Sequence, residues 1–232
     1  MSKRGILMVA VGKVHRDLAR KSIASMRSIC ASVPVRVITD RPEDFQSIAS
    51  LTLGGQVSLP LNAEVVRVEP FSHHLATRVH KTTAFNHAFD EVTFMVDADT
   101  TFLESPEQLL NSDEKCLPHF AMTIGLKPFV DSFRNPHPEV QLRIRRAGNY
   151  FPRFNSGAVL FRKTAVTEQL FTEWEAWRAR LAPTQDEPAL FCALWEMGLL
   201  PAPLNPSWNF SGKKIRMLHH TDHSKFYFGS NQ

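Results

Sequence analysis

The chain has 232 residues, of which 43% are hydrophobic and 22% charged, with a net charge of +4. That composition supports a packed core and excludes a disordered chain, and the length suits one α/β domain of ordinary to large size. No window of about 18 apolar residues exists, which excludes a membrane-spanning helix. The basic residues are scattered and form no nucleic-acid module, so nucleic acid is not expected as a partner. Nucleotide phosphates, or peripheral contact with an anionic membrane surface, remain open.

In chain order, Ile6–Val11 is an apolar run that is shorter than the roughly 7–15 residues of a signal peptide and reads as a first, buried strand. Asp17 to Cys30 places Leu18, Ile23, Met26, Ile29 and Cys30 at helical spacing. Val35–Thr39 predicts a second strand ending at Asp40, and Glu64–Val68 a third. Leu75 to Phe89 reads as a helix, and Val92–Val96 as a strand that runs straight into Asp97. Phe120–Ile124 predicts another strand. Residues 125–153, with four prolines and Arg143, Arg145 and Arg146, read as an excursion or lid with a short helix around Glu139–Arg146. Ala158–Phe161 is a strand, and helices follow over Thr167–Leu181 and Glu187–Met197. Alternating strands and helices imply a mostly parallel central sheet flanked by helices. Cys30, Cys116 and Cys192 are odd in number, have no metal-type spacing and suit a reducing cytoplasm.

Chemistry concentrates in a few places. Asp97-Ala98-Asp99 puts two carboxylates around one small residue at the end of an apolar strand. Ligands of open parallel sheets bind at that edge, and carboxylates are hard ligands for Mg²⁺ or Mn²⁺. About 0.4 such pairs are expected by chance in a chain of this composition, so the placement, not the pair, carries the argument. Asn155-Ser156-Gly157 is either a tight turn before a strand or a point of close backbone approach to a ligand. Asp186 is either a helix cap or a carboxylate facing a ligand. Arg78 and Lys81 share a helix face that either points into solvent or meets phosphate. The segment from His219 to Lys225 is either a polar tail or a metal-binding imidazole followed by a phosphate-binding lysine.

Taken together and in order, these boxes resemble the GT-A-type glycosyltransferases, in particular glycosyltransferase family 8. Met95-Val96-Asp97-Ala98-Asp99-Thr100-Thr101-Phe102 is similar to the family's Asp-x-Asp box, and Phe154 to Phe161 to its Asn-Ser-Gly box. Gln185-Asp186 resembles its later helix-opening box, and His219 with Lys225 its closing His-x₅-Lys box. The resemblance spans about residues 5–228 and implies a single Rossmann-like GT-A domain over 1–232. In it, 1–104 is the nucleotide-binding half and 105–232 the half that binds sugar and acceptor.

The family implies that Asp97, Asp99 and His219 hold Mn²⁺ or Mg²⁺. It places the nucleotide-sugar donor against Val9, Ala10, Val11, Asp40, Arg78 with Lys81 as its rival, Asp97, Ala98, Asn155, Ser156, Gly157 and Lys225. Asp186, Gln185 and Asn155 are its candidates around the reacting carbon. The implied reaction is transfer from a nucleotide diphosphate sugar, a UDP-sugar, to an acceptor hydroxyl of a glycan, lipid or small molecule, with retention. Asp222, Phe226-Tyr227 and the order Gln185-Asp186 depart from the family pattern.

Four other readings compete. A haloacid-dehalogenase-like phosphatase would use Asp97 as nucleophile, but it wants its box after the first core strand and an acidic pair downstream. A sugar-nucleotide pyrophosphorylase wants a glycine-rich first loop, and Ala10 to Arg20 holds only Gly12. An inactive nucleotide-sugar-binding module is opposed by the intact carboxylates and His219. A zinc site at His219, His220 and His223 has no adjacent glutamate to act as base.

Overall fold

The computed structural model describes residues 3–52, 55–70, 76–111, 120–124, 137–147, 154–181, 186–204 and 217–219. The first unit is β1 (Arg4–Ala10), α1 (Lys13–Arg27) and β2 (Val35–Thr39). A hairpin of β3 (Ser47–Thr52) and β4 (Gly55–Pro60) precedes β5 (Ala63–Arg67). Then come α2 (Ala76–Thr82), β6 (Val92–Val96), β7 (Thr100–Phe102), the single turn α3 (Glu107–Leu110) and β8 (Phe120–Ile124). The remainder is α4 (Pro138–Ala147), β9 (Phe154–Arg162), α5 (Ala165–Arg180), α6 (Asp186–Glu196), β10 (Ala202–Leu204) and β11 (Met217–His219).

Seven strands form one sheet in the order β10-β8-β9-β6-β1-β2-β5. β6, β1, β2 and β5 run parallel, as do β8 and β10, and β9 is antiparallel to both its neighbours, so the sheet is mostly parallel. From β1 the chain steps to β2 on one side and later to β6 on the other. That reversal opens a crevice beyond the carboxyl ends of β1 and β6, where Val11-Gly12 and Asp97 lie.

The period-2 alternation of buried strands assembles the core on both faces. Ile6, Met8 and Ala10 point with Phe94, Val96 and Leu160 toward Ala19, Ile23 and Met26 of α1. Leu7, Val9, Met95, Val159 and Phe161 point toward Phe85, Phe171, Trp174 and the α6 stretch Ala189–Leu194. The strands β2, β6 and β8 occupy the spans that the sequence predicts.

Several expectations are corrected. The first helix starts at Lys13, four residues before the predicted start, because Gly12 (φ 86°) turns the chain out of β1 directly into it. The predicted helix from Leu75 to Phe89 is broken. α2 stops at Thr82 and a 3₁₀ turn, Ala84–His87, carries Phe85 into the core. Asn155-Ser156-Gly157 lies inside a strand and is not a turn before one. Opposite it the register of β8 jumps: Met122 faces Val159 while Thr123 faces Asn155. The residues between bulge from that ladder, while Ala158 stays paired with Val96. The β3–β4 hairpin, β7, β10 and β11 are short or lie near glycine and proline, and periodicity does not single them out.

Gly5 sits in the centre of the sheet with no room for a side chain: a Cβ there meets the Phe89 ring at 2.5 Å and the Pro34 carbonyl at 2.7 Å. Phe89 cannot swing away freely, since Arg36 stacks on it at 4.5 Å. Gly5→Ala is therefore expected to cost about 1–3 kcal/mol by overpacking, seen in urea unfolding as a lower midpoint with unchanged slope.

Candidate active site at the carboxyl ends of β1 and β6

Asp97 is the first residue past β6. Its backbone N–H donates to the Gly157 carbonyl (2.9 Å), so the bulged stretch of β9 fixes where the acidic turn begins. Thr100 Oγ1 donates to the Asp97 carbonyl (2.9 Å), and Ser22 Oγ of α1 lies 3.0 Å from Thr100 Oγ1. With the threonine proton already committed, Ser22 is the donor of that second bond. Ser25 Oγ, one helical turn on, accepts from Phe102 N–H (2.9 Å). Two α1 hydroxyls thus tie down the segment that carries Asp97 and Asp99.

Lys81 is the centre of the cluster. Its Nζ lies 2.6 Å from Asp97 Oδ1, 3.1 Å from Asp186 Oδ2 and 3.2 Å from Ser156 Oγ. Ser156 Oγ in turn donates to Asp186 Oδ2 (2.9 Å). Asp186 opens α6, and its carbonyl accepts from the indole N–H of Trp174 (3.0 Å). Lys81 is only 6% exposed. Burial alone would lower its pKa, but the charges of Asp186 and Asp97 and the hydrogen bonds to them outweigh it and raise the value, so the ammonium persists at neutral pH. Arg78, its rival in the sequence, is half-buried and has no polar partner among the described residues. Asn155 Oδ1 accepts from Gly157 N–H (2.7 Å) across the bulge.

One strand further along, the end of β2 carries Asp40. Gly12 N–H donates to its Oδ1 (3.1 Å), and Arg16 Nη1 reaches both carboxylate oxygens at 2.8 Å. Arg16 Nε also binds Asp44 Oδ2 (2.6 Å). Burial would raise the Asp40 pKa, but the Gly12 N–H and the Arg16 guanidinium hold it below the usual carboxylate value. His80 of α2 lies within the field of Asp40. Burial keeps its pKa below the ordinary imidazole value, against a hydrogen bond with the backbone of Glu69 and the charge of Asp40.

Of the predicted residues, Asp97, Ser156, Gly157, Asp186 and Lys81 come together directly, with Asn155 beside them. Val9, Ala10 and Val11 are buried core residues that offer the crevice backbone only, and Ala98 is buried in the acidic turn. The backbone of His219 pairs with Thr100, next to Asp99. Gln185 and Lys225 lie outside the described residues. Among the described residues, no three His, Cys, Asp or Glu side chains converge on a point that would hold a metal. Asp97, 30% exposed, and half-buried Asp99 are hard oxygen donors that suit Mg²⁺ or Mn²⁺. Sequence reasoning missed Arg16, Ser22 and Ser25. For Arg16 and Ser22 the signal was present, since Arg16, Ala19, Ser22, Ile23 and Met26 share one buried helical stripe.

An α/β sheet with this strand order and an acidic turn at the end of β6 defines the GT-A fold. The galactosyltransferase LgtC, solved with donor and acceptor sugar analogs, matches it with TM-score 0.60 and 16% identity over 89% of this chain and 75% of its own. Mouse xyloside xylosyltransferase 1, in its apo form, matches at 0.59 and 12% identity over 96% and 99%. The glycosyltransferase GlyE of Streptococcus pneumoniae TIGR4 matches at 0.57 and 10% over 91% and 47%. No curated protein matches the sequence. The nucleotide-diphospho-sugar transferase family matches residues 74–232, and the chain belongs to that family. It is thus a glycosyltransferase, and the phosphatase reading of Asp97 falls away.

Lys81→Met should leave Asp97 and Asp186 without their shared counter-charge and destabilise the fold by about 3–5 kcal/mol. Adding Asp186→Asn should recover part of that loss, because the two changes act on one network. The raised lysine pKa sets the sign with pH: the parent's advantage is full below the ordinary lysine value of about 10.4 and shrinks as pH climbs beyond it. Chemical denaturation of the single and double variants at pH 7 and above 10.4 measures both effects.

Proposed function

We propose that the enzyme transfers a sugar from a UDP-sugar to an acceptor hydroxyl with retention at the anomeric carbon, as the resemblance to glycosyltransferase family 8 implies. The observation that carries this reading is the network of Asp97, Lys81, Ser156 and Asp186 at the carboxyl end of β6, beside the topological crossover. Residues 1–104 would hold the nucleotide and 105–232 the sugar and acceptor.

Asp97 and Asp99 would hold Mn²⁺ or Mg²⁺, with His219 as the third protein ligand. When bound, the ion supplies Lewis-acid stabilisation of the leaving diphosphate. Lys225 adds positive charge on the diphosphate, and Asp40 orients the nucleoside. Lys81 bridges Asp97 and Asp186 and would hold both carboxylates in place. Asn155, Ser156 and Gly157 line the donor sugar, and Asp186 with Gln185 sits nearest the reacting carbon. Asp186 Oδ2 is already engaged by Lys81 and Ser156, which favours an orienting role over covalent attack. The acceptor hydroxyl then attacks the anomeric carbon on the face from which the diphosphate departs. The new C–O bond replaces the bond to phosphate, and the proton passes to a leaving phosphate oxygen.

The acceptor is a glycan, lipid or small molecule, met by the basic residues of 125–153. No helix among the described residues is long and apolar enough to cross a membrane. Cys30 and Cys192 are free and buried, which supports a reducing, cytoplasmic compartment.

Calorimetry with UDP tests the reading. Binding should require Mn²⁺ or Mg²⁺ and be lost with chelator. Asp97→Asn and His219→Ala should each weaken it by about 2–5 kcal/mol, the scale for unpairing a buried charge. A UDP-sugar should also be slowly hydrolysed to UDP without acceptor. Equal UDP affinity with and without chelator would sink the metal assignment.

A further inference from the structure

Lys81, Asp97, Ser156 and Asp186 meet in one cluster, but the fold does not hold them equally well. Asp97 follows β6 and Ser156 lies in β9, and the pairing of those two strands places both. Lys81 and Asp186 have no such ladder. Lys81 is the penultimate residue of α2, a helix of seven residues, and Asp186 is the first residue of α6. Helix ends fray, yet Lys81 Nζ and Asp186 Oδ2 stand 3.1 Å apart. A contact between two helix ends needs a third element to set it.

That element is α5, and two successive residues of it reach the two helix ends. Trp174 is fully buried and gives its one polar group, the indole N–H, to the Asp186 carbonyl (3.0 Å). Glu175 Oε2 accepts from the hydroxyl of Thr82, the residue after Lys81 and the last of α2. The Val79 carbonyl also lies 2.9 Å from Thr82 Oγ1. A hydroxyl has one proton to give, and the charged carboxylate is the stronger acceptor. Glu175 is itself pinned, because Arg178 Nε donates to Oε2 (2.8 Å) and Arg178 Nη2 to Oε1. α5 opens with a capping box of Thr164 and Thr167, and Phe171 packs on Trp174 with ring centroids 5.5 Å apart. Close packing of this kind makes the helix a rigid platform.

Resting on the donor reading above, we propose that Thr82, Trp174 and Glu175 are positioning residues for the transfer: α5 clasps the end of α2 and the start of α6, and so fixes Lys81 against Asp186, the carboxylate placed nearest the reacting carbon. The three act through their neighbours, since the partners of Lys81 Nζ among the described residues are Asp97, Asp186 and Ser156. Asp97 is tied by the Gly157 carbonyl and by the α1 hydroxyls on its turn, not by α5. Loosening the clasp therefore leaves metal and nucleotide binding in place and disturbs the chemical step. A misplacement of about 1 Å near a reacting centre costs roughly 100-fold in rate, and losing one of two clasping bonds costs less than that.

The test measures acceptor-free hydrolysis of UDP-glucose, UDP-galactose and UDP-xylose by the full chain with Mn²⁺, and UDP affinity by calorimetry. Thr82→Val keeps the side-chain volume without the hydroxyl, Thr82→Ser keeps the hydroxyl, and Trp174→Phe keeps a ring without the N–H. Thr82→Val and Trp174→Phe are expected to lower kcat for the hydrolysed donor by about tenfold, with UDP affinity within about twofold of the parent. Thr82→Ser should retain most of the parental kcat. A merely structural role would lower the melting temperature and leave kcat unchanged well below it. Should Trp174→Phe fail to fold, the two Thr82 variants decide alone. Parental kcat in Thr82→Val, a loss of UDP affinity that matches the loss of kcat, or a Thr82→Ser variant as slow as Thr82→Val overturns the assignment and leaves the donor reading standing. A parent that hydrolyses none of the three donors overturns both.

Discussion

An ammonium group at 6% exposure is tolerated only where carboxylates and hydroxyls replace the water it has lost. Lys81 meets that condition with Asp97, Asp186 and Ser156, which come from three separate parts of the chain. The first belongs to the turn after β6, the second opens α6, and the third sits in the bulge of β9. Because each partner must be present for the others to be stable, the network fixes the relative placement of these three elements. The same contacts hold two anionic side chains at one edge of the sheet, where like charges would otherwise repel. Charge held in this way is pre-organised by the chain itself.

The supporting contacts are short and polar. α1 presents Ser22 and Ser25 to the acidic turn from one end of its buried stripe and Arg16 to Asp40 from the other. One rigid helix therefore touches both ends of the proposed donor site. β9 contributes from the opposite side, with Gly157 receiving the Asp97 N–H. Its antiparallel course between β6 and β8 brings a late segment of sequence against the early strands of the sheet. Crossing between them by strand pairing, and not through a flexible loop, keeps that geometry precise to within the tolerance of a β ladder.

Those parts of the fold that rest on hydrophobic pattern are legible in the sequence. β2, β6 and β8 are dense in β-branched and aromatic residues and need no context to be found. The acidic turn is legible because it follows such a strand. The Asn155-Ser156-Gly157 stretch is read ambiguously for a physical reason: turn-forming residues also make bulges, and only pairing to two neighbours distinguishes the cases. Lys81 and Arg78 are indistinguishable by composition. Which one enters the site depends on where α2 ends, and the helix stops at Thr82, earlier than the apolar pattern through Phe85 and Phe89 suggests. Arg16 is hidden by the same logic, since a basic residue on an apolar stripe gains its meaning only from the carboxylates it meets across the fold.

The packing of α4 rests on a different balance. α4 buries Val140 and Ile144 and little else, so its apolar anchor is small. Arg143 compensates by stacking on Trp177 (4.2 Å) while binding Glu196 at the end of α6. Arg180 stacks on the same indole (4.7 Å) and reaches Glu139 at the start of α4 (2.7 Å). Guanidinium–indole contacts and partly exposed ion pairs each contribute modestly and weaken with salt. The edge of the sheet at Asp97 is thus set by buried charge that cannot be rearranged without large cost, whereas α4 is attached by replaceable surface contacts. An outward face bearing Leu142, Arg145 and Arg146 can change without disturbing that attachment, because none of the three is among the residues that clamp the helix.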